Sequence, residues 1–299
     1  MHCPGLYCGR TLLENGNWSD CGACPRGYRT NSSYCIPCND SPEFYDWLYL
    51  AFVVLVVLVL HWFCIDLSTP KKSFSKDVFI IHLSALIEVC IAAAVTLLLV
   101  EPFGTWQIRS CKVKYLSDWY TLFHNPNPNY EEVLLCTQEA VYPLYSMVFI
   151  FYSLATIVML IIRLTFSKYF VLGKMSLYAA LHFYPVIAFI QAIFGGIIYY
   201  TFPYLVIVAT LISSAIHFAQ RLDQSMVALV LYTVTDPRNL VILFGHWSFL
   251  AYGIVSAIEL KGLSFQWSLE SAILALVPVP TVFYILTAKF TDPSKVHIE

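Results

Sequence analysis

The sequence CPGLYC at residues 3–8, continued by CGACPRGY at residues 21–28 and CIPC at residues 35–38, places six cysteines in one short polar segment. Two interpretations compete for paired cysteines of this kind: a four-thiolate zinc site or a disulfide framework. The even count and two similar Cys-Pro pieces, beginning at Cys3 and Cys24, favour disulfides of an oxidising compartment. We predict a disulfide-rich module at residues 1–44, called the head below, whose pairing the spacing leaves open. The six candidate cysteines are Cys3, Cys8, Cys21, Cys24, Cys35 and Cys38.

Three N-x-S triplets lie in the same segment, at Asn17, Asn31 and Asn39. Such triplets accept glycans only in a chain that meets the secretory machinery. No apolar leader precedes the cysteines, so we expect the first apolar segment to export its own N-terminus. The head is therefore predicted to be lumenal and to carry candidate glycosylation sites.

The composition is that of a membrane protein. Apolar residues make up 59% of the chain and charged residues 12%, and the mean hydropathy is +0.68. The formal net charge of -2 leaves no basic surface for nucleic acid, so we exclude that class of partner. We expect a polytopic protein in contact with membrane lipid.

Seven apolar runs are long enough to cross a bilayer core of about 30 Å, which takes about 20 helical residues. They predict an all-α protein with seven transmembrane helices, which together form a membrane domain at residues 45–299. A tight turn at 199–204 separates the fourth run from the fifth. The runs are 47–65, 78–100, 141–162, 177–200, 202–219, 240–258 and 269–288.

The loops between these runs indicate the orientation. With the head outside the cytosol, segments 66–77, 163–176, 220–239 and the tail after 288 are cytosolic. They hold ten Lys and Arg residues against seven on the other side. The difference has the sign that the positive-inside rule requires, which predicts a cytosolic C-terminus.

The second lumenal segment, residues 101–140, is rich in aromatic residues and contains Asn-Pro repeats, which favour turns. We predict a folded cap there, either a lid on the head and the membrane face or a partner surface. Cys111 and Cys136 bracket it. A bridge between them would close a loop worth about 3 kcal/mol in the chain-entropy description.

Ionisable side chains inside the apolar runs are candidates for function, because an unpaired charge in a membrane is costly. Glu88 lies in the middle of the second run, with Ser84 one helical turn away. His61 and Arg163 lie near predicted cytosolic ends, where snorkelling is the ordinary explanation. The further candidates are His82, His182, Gln191 and His246.

Two functions remain open for these polar residues. A metal-dependent hydrolase or a proton-coupled transporter would use Glu88 together with membrane histidines. However, the sequence holds no His-x-x-x-His or His-Glu-x-x-His pair and no internal repeat. Hydrogen bonding between helices, with a histidine as the partner of Glu88, is the favoured interpretation, and we predict no metal and no catalytic residue.

Several long strings resemble the JNK-associated membrane protein family, and the resemblance extends over nearly the whole chain. They are SPEFYDWLYL at 41–50, LHWF at 60–63, LSDWYT at 116–121, CTQEAVYPLY at 136–145, LALVPVPT at 274–281 and TAKFT at 287–291.

This resemblance implies a seven-span protein of the endoplasmic reticulum (ER) that has no enzymatic activity and no cofactor. Family members act in the unfolded protein response and in ER-associated degradation. They recruit proteasomes and ubiquitin-ligase components and bind the stress kinase JNK. In this sequence, Lys71, Lys72 and Lys76 ahead of an apolar run are the candidates for kinase docking, and a positive-inside loop is the simpler explanation of their charge.

Overall fold

The computed structural model describes residues 2–68, 76–124, 136–166, 172–221, 223–261 and 272–290. Most of them are helical, and two small sheets lie near the N-terminus. Two short 3₁₀ helices, Leu116–Trp119 and Thr121–His124, lie between the second and third α-helices. The α-helices are α1 Phe44–Ser68, α2 Lys76–Leu98, α3 Leu144–Phe166, α4 Leu172–Ala219, α5 Met226–Thr235, α6 Pro237–Leu260 and α7 Val279–Thr287.

The head contains two antiparallel strand pairs. Strand β1 Cys8–Gly9 pairs with β2 Gly22–Ala23, and β3 Tyr28–Asn31 pairs with β4 Tyr34–Pro37. Ser32 and Ser33, between β3 and β4, have φ angles of 49° and 72°. A two-residue hairpin turn with both central φ angles positive matches the right-handed twist of the strands that it joins.

Four disulfides stabilise this region, and they use all eight predicted cysteines. Cys3–Cys21 and Cys24–Cys35 lie within the head. Cys8–Cys136 and Cys38–Cys111 join the head to the cap, with Cα–Cα distances of 5.2 and 4.7 Å. The predicted Cys111–Cys136 bridge is therefore wrong. The described parts of the cap lie against the head, so each of these cysteines meets a head cysteine instead.

The chain forms two compact units, Met1–Tyr199 and Tyr200–Glu299. In the first, α2 packs against both α1 and α3. Each of the three helices buries one stripe of residues at a spacing of about four, which places them on one helical face. The stripes are Tyr49, Val53, Val57, His61 and Ile65 on α1; Ile81, Ala85, Glu88, Ala92 and Thr96 on α2; and Met147, Phe151, Ala155, Met159 and Arg163 on α3.

The second unit contains α5, α6 and α7. Helix α5 packs against α6 and α7. The Asp236 side chain caps the first turn of α6, and Pro237 occupies its first position. The prediction of a loop throughout 220–239 is wrong, because α5, an apolar helix of ten residues, lies inside it. The division of the chain at residues 44 and 45 stays a prediction.

Within the described residues, five helices are long and apolar enough to cross a membrane, so the predicted seven transmembrane helices are not confirmed. They comprise α1, α2, α3, α6 and one continuous stretch, Leu177–Ala219, in α4. The predicted turn at 199–204 is wrong, because α4 is helical through it, and proline is tolerated inside membrane helices. In the last predicted run, residues 269–271 lie outside the described residues, and α7 spans nine residues.

Candidate functional site

A buried ionic cluster crosses the helices of the first unit. The Arg163 guanidinium on α3 approaches the Glu88 carboxylate on α2, with its Nε 3.2 Å from Oε1 and 3.0 Å from Oε2. The side chains of Arg163 and Glu88 are 2% and 1% exposed. Ser84 Oγ donates a second hydrogen bond to Glu88 Oε1 at 2.7 Å. The carboxylate therefore has a cation and a hydroxyl as partners.

His61 on α1 extends the cluster. Arg163 Nη2 lies 3.1 Å from His61 Nδ1, and the other ring nitrogen, Nε2, lies 2.9 Å from the Tyr184 hydroxyl on α4. Because a guanidinium only donates hydrogen bonds, His61 Nδ1 accepts one. The neutral ring then carries its proton on Nε2, and this N–H donates a hydrogen bond to the Tyr184 hydroxyl oxygen. We call Ser84, Glu88, Arg163, His61 and Tyr184 the ionic cluster.

The ionic cluster connects α1, α2, α3 and α4 by hydrogen bonds. Ala85 and Ala92 flank Glu88 on the buried stripe of α2 and are fully buried, so small side chains let the neighbouring helices approach. A buried ion pair contributes little net stability compared with apolar residues, but loss of one partner leaves an uncompensated charge. The cluster therefore fixes which helix faces meet.

The structure corrects two predictions at this site. Arg163 and His61 are 1% and 0% exposed, so snorkelling does not explain them. The charged partner of Glu88 is Arg163, and the histidine contacts the arginine. One sequence signal could have identified the pair: Glu88 is the only ionisable acid in the first three apolar runs, and Arg163 follows the third run directly.

The other predicted polar residues lie elsewhere. His82 Nδ1 lies 2.8 Å from the Val78 carbonyl oxygen, and its Nε2 lies 3.2 Å from Asp66 Oδ1. His182 is exposed and contacts the carbonyl of Tyr178. In the second unit, His246 Nε2 lies 3.0 Å from the Ser213 hydroxyl. None of these histidines joins the ionic cluster in the contacts that the described residues make.

Gln191 belongs to a second polar group at the start of α1. Its Nε2 donates to the Tyr49 hydroxyl at 2.7 Å, and the Tyr199 hydroxyl donates to Asp46 Oδ1 at 2.7 Å. Asp46 is 1% exposed. Sequence reasoning missed Asp46 and Tyr199, because Asp46 precedes the first apolar run and resembles an ordinary helix-start acid.

Trp119 from the cap enters this aromatic group. Its ring centroid lies 5.8 Å from that of Tyr49 and 5.2 Å from that of Tyr199. Gly196 on α4 makes room for it, since a Cβ built there would lie 2.6 Å from Trp119 Cβ. The cap thus packs directly on the membrane helices.

A buried carboxylate joins the cap to the head. Asp118, which is 2% exposed, accepts hydrogen bonds from Arg29 Nη2 at 2.8 Å and the Tyr7 hydroxyl at 2.9 Å. The backbone N–H groups of Lys114 and Tyr115 also donate to it. Burial raises the pKa of Tyr7 to about 12. The described parts of the cap therefore form the predicted lid on the head.

The remaining predicted sites are at the surface or outside the described residues. Asn17, Asn31 and Asn39 are exposed, as is Lys76 in the first turn of α2. Lys71 and Lys72 lie outside the described residues. Among the residues that the structure describes, no group of three or more His, Cys, Asp or Glu could hold a metal ion.

The chain is similar to proteins of mouse, human and Caenorhabditis elegans. The family model described as JNK1/MAPK8-associated membrane protein matches residues 3–293. Proteins with this name from mouse and human are each 45% identical to the chain over 308 residues, covering 99% of the chain and 96% of the relative. A homolog from Caenorhabditis elegans is 30% identical, covering 96% of the chain and 93% of the relative. No solved structure matches the chain significantly.

Proposed function

Because the chain belongs to the JNK1/MAPK8-associated membrane protein family, we propose that it is a membrane scaffold that associates with a JNK-type stress kinase. The observation that carries the proposal is the 45% identity to the mouse and human relatives over nearly the full length of both chains. The function named for those relatives is association with a kinase.

The finer proposal places this scaffold in the ER membrane, where it acts in ER-associated degradation and the unfolded protein response. It holds proteasome and ubiquitin-ligase components close to clients that leave the ER. Tethering raises the local concentration of bound machinery and needs no new chemistry at the scaffold. We propose accordingly that the chain is not an enzyme.

The partners of Glu88 support a scaffold over a transporter or a hydrolase. A proton carrier has to exchange protons with water, and a metal ligand has to offer a free oxygen. Glu88 is 1% exposed and contacts both Arg163 and Ser84. These contacts favour an architectural role, in which the ionic cluster keeps the membrane helices in one arrangement.

The disulfides support a lumenal head. Structural disulfides persist in oxidising compartments and are rare in the cytosol. All eight bonded cysteines lie in the head or the cap, on one side of α1, α2 and α3. We propose that this side faces the ER lumen and that the first turn of α2, around Lys76, and the C-terminal end of α3 face the cytosol.

The proposal is tested by purification of the intact protein in mild detergent from cells with and without ER stress. JNK-type kinase, 26S proteasome subunits and ubiquitin ligases are quantified by mass spectrometry against an unrelated multi-span protein. We expect all three to be enriched, and more so under stress. Absence of the kinase and of the proteasome from folded protein would contradict the scaffold.

A charge-removal variant tests the docking segment separately. The triple variant K71A/K72A/K76A should lower kinase recovery if these lysines bind it, because docking segments use basic residues beside apolar ones. The control variant K114A/K261A removes lysines from the predicted lumenal side. Unchanged kinase recovery with the triple variant would remove the docking segment and leave the lysines as a positive-inside loop.

A further inference from the structure

A cavity of about 360 Å³ lies between the cap and the membrane helices of the first unit. We call it the cap cavity. Trp119, Tyr120 and Glu139 of the cap, Tyr145 of α3 and Ala192 of α4 are among its lining residues. Leu122 and Phe123 also line it and are 60% and 80% exposed. The cavity therefore combines polar groups with an apolar, accessible edge.

Two polar atoms of residues that line the cap cavity have no hydrogen-bond partner among the described residues. They are the indole Nε1 of Trp119 and the hydroxyl oxygen of Tyr120, and both are buried. Trp119 as a whole is 8% exposed. Buried polar groups in folded proteins are nearly always satisfied, by protein or by a bound molecule. An indole N–H only donates, so the missing partner must supply an acceptor.

Trp119 is held firmly in its position. Its ring packs against Tyr49 and Tyr199, and its Cβ and ring lie against Gly196 of α4. A Cβ at Gly195 would likewise lie 3.5 Å from the Trp119 ring. Because these contacts hold the Trp119 ring in place, an acceptor that satisfies the indole has to come to it.

The cap cavity lies beside the ends of membrane helices that adjoin the cap. Tyr145 is the second residue of α3, and Ala192 lies seven residues before Tyr199, which contacts the start of α1. At 1.5 Å per residue this is about 10 Å along α4 from the level where α1 begins. Trp and Tyr are common near the ends of membrane helices, where an apolar ring and a polar tip suit a lipid and its headgroup.

The charge of the cap cavity restricts the kinds of ligand that fit it. Glu139 lines it and accepts a hydrogen bond from the backbone N–H of Ser146 at 2.7 Å. Burial raises the pKa of Glu139. A ligand with both a cation and acceptor oxygens would suit this carboxyl group, because the cation favours the carboxylate form that burial disfavours.

We propose that the cap cavity binds the headgroup of a zwitterionic phospholipid, with phosphatidylethanolamine as the best fit. Its phosphate oxygens accept hydrogen bonds from Trp119 Nε1 and the Tyr120 hydroxyl. Its ammonium group donates to Glu139, and its acyl chains lie along the exposed apolar surface beside Leu122 and Phe123. The lipid thereby satisfies the two orphaned donors.

Two substitutions to phenylalanine test the proposal. The double variant W119F/Y120F removes both donors and keeps aromatic rings in place. The control W106F/Y115F makes the same chemical changes at exposed positions of the cap, where Trp106 and Tyr115 are 64% and 62% exposed. Full-length protein is stripped of lipid in detergent and titrated with phosphatidylethanolamine, and bound lipid is counted by native mass spectrometry.

We expect one lipid per chain on the wild type and the control, and at least tenfold weaker binding to W119F/Y120F. Thermal unfolding of both variants checks that they are folded. A double variant that is folded and binds lipid as tightly as the wild type would overturn the proposal.

Three further ligands test which headgroup the cap cavity binds. Phosphatidylglycerol should bind more weakly than phosphatidylethanolamine, and E139Q should reduce that preference. Stronger binding of the anionic lipid would overturn the zwitterionic assignment. If soluble phosphoethanolamine bound as tightly as the lipid, the cavity would be assigned to a small soluble ligand. If an extended peptide displaced the lipid, the cavity would be assigned to a protein ligand. Either result would contradict a lipid site.

Discussion

At the scale of single residues, the pairing of Glu88 with Arg163 determines what each contributes. The substitution Arg163→Met should destabilise the protein by about 3–5 kcal/mol, because it leaves a buried carboxylate without its cation. Glu88→Met should do the same by leaving the guanidinium unpaired. The double variant, in which both residues are Met, should lose clearly less free energy of unfolding than the sum of the two single losses. Unfolding in detergent is the measurement, with Arg109→Met, at an exposed cap position, as the control.

Additive losses in this double-mutant cycle would contradict the pairing. They would mean that each side chain has another partner of equal importance. A double variant that is folded but no longer recovers the kinase or the proteasome would show that the ionic cluster also contributes to partner binding.

A substitution at Gly196 tests how closely α4 approaches the cap. Gly196→Ala should destabilise the protein by about 1–3 kcal/mol, because the new methyl group would overlap Trp119. Gly245→Ala on α6 is the matched control, since a Cβ there meets nothing within 4 Å. It should stabilise its helix by up to about 1 kcal/mol. Equal effects of the two substitutions on thermal unfolding would contradict the close contact.

Tyr7 gives the head a pH dependence with a definite sign. Burial raises its pKa from 10.0 to about 12, so the folded state keeps the phenolic proton over a range in which the unfolded state loses it. The stability contributed by Tyr7 is therefore complete below pH 10 and lost as the pH rises towards 12. The phenolate absorbance of the wild type minus that of Tyr7→Phe should have its midpoint near pH 12. A midpoint near pH 10 would contradict the buried hydrogen bond to Asp118.

At the scale of elements, the disulfides that connect the head and the cap give a direct prediction. Non-reducing digestion should yield one linked peptide pair that contains Cys8 and Cys136 and another that contains Cys38 and Cys111. Cleavage between residues 125 and 135 should leave both cap fragments attached to the head. Release of the cap as one Cys111–Cys136 loop would contradict the observed pairing.

The sequence predicted the elements better than their contacts. Apolar length located α1, α2, α3 and α6, and cysteine count located the disulfide-rich head. Which face of each helix is buried could not be predicted, because lipid-facing and protein-facing sides are both apolar in a membrane. His61 and Arg163 lie in register with the buried stripes of α1 and α3, but the apolar members of those stripes, such as Val53 and Met159, do not differ from lipid-facing residues in the sequence.

Disulfide pairing was beyond prediction for a related reason. Spacing along the chain measures loop length, while pairing depends on which segments pack together in space. Arg29, Asp118 and Gln138 bring the head and the cap together, and no pattern of residue types in the sequence marks these contacts. The orphaned donors of the cap cavity were equally hidden, since an unpaired Trp119 N–H exists only in the folded arrangement.

At the scale of the whole molecule, orientation in the membrane follows from the positions of its surface groups. Asn17 and Asn31 are exposed in the head, so a lumenal head should carry glycans that endoglycosidase H removes. N17Q and N31Q should each reduce the apparent mass by one glycan. A head that carries no glycan in intact microsomes and is open to protease from the cytosolic side would contradict the orientation.

The other side of the membrane can be examined with a single substitution in the segment that follows α4. Asp223→Asn completes an N-x-S triplet with Ser225 and keeps an acceptor for the Ser225 N–H, which Asp223 Oδ1 binds at 2.8 Å. Arg221 and Arg238 favour the cytosol for residues 220–239, which predicts an unmodified triplet, whereas a single crossing by the continuous helix α4 predicts a glycan there. A glycan at this position would place the segment in the lumen. Leu172–Ala219, a helix of 48 residues, would then cross the membrane an odd number of times, and the predicted pair of spans within it would be excluded.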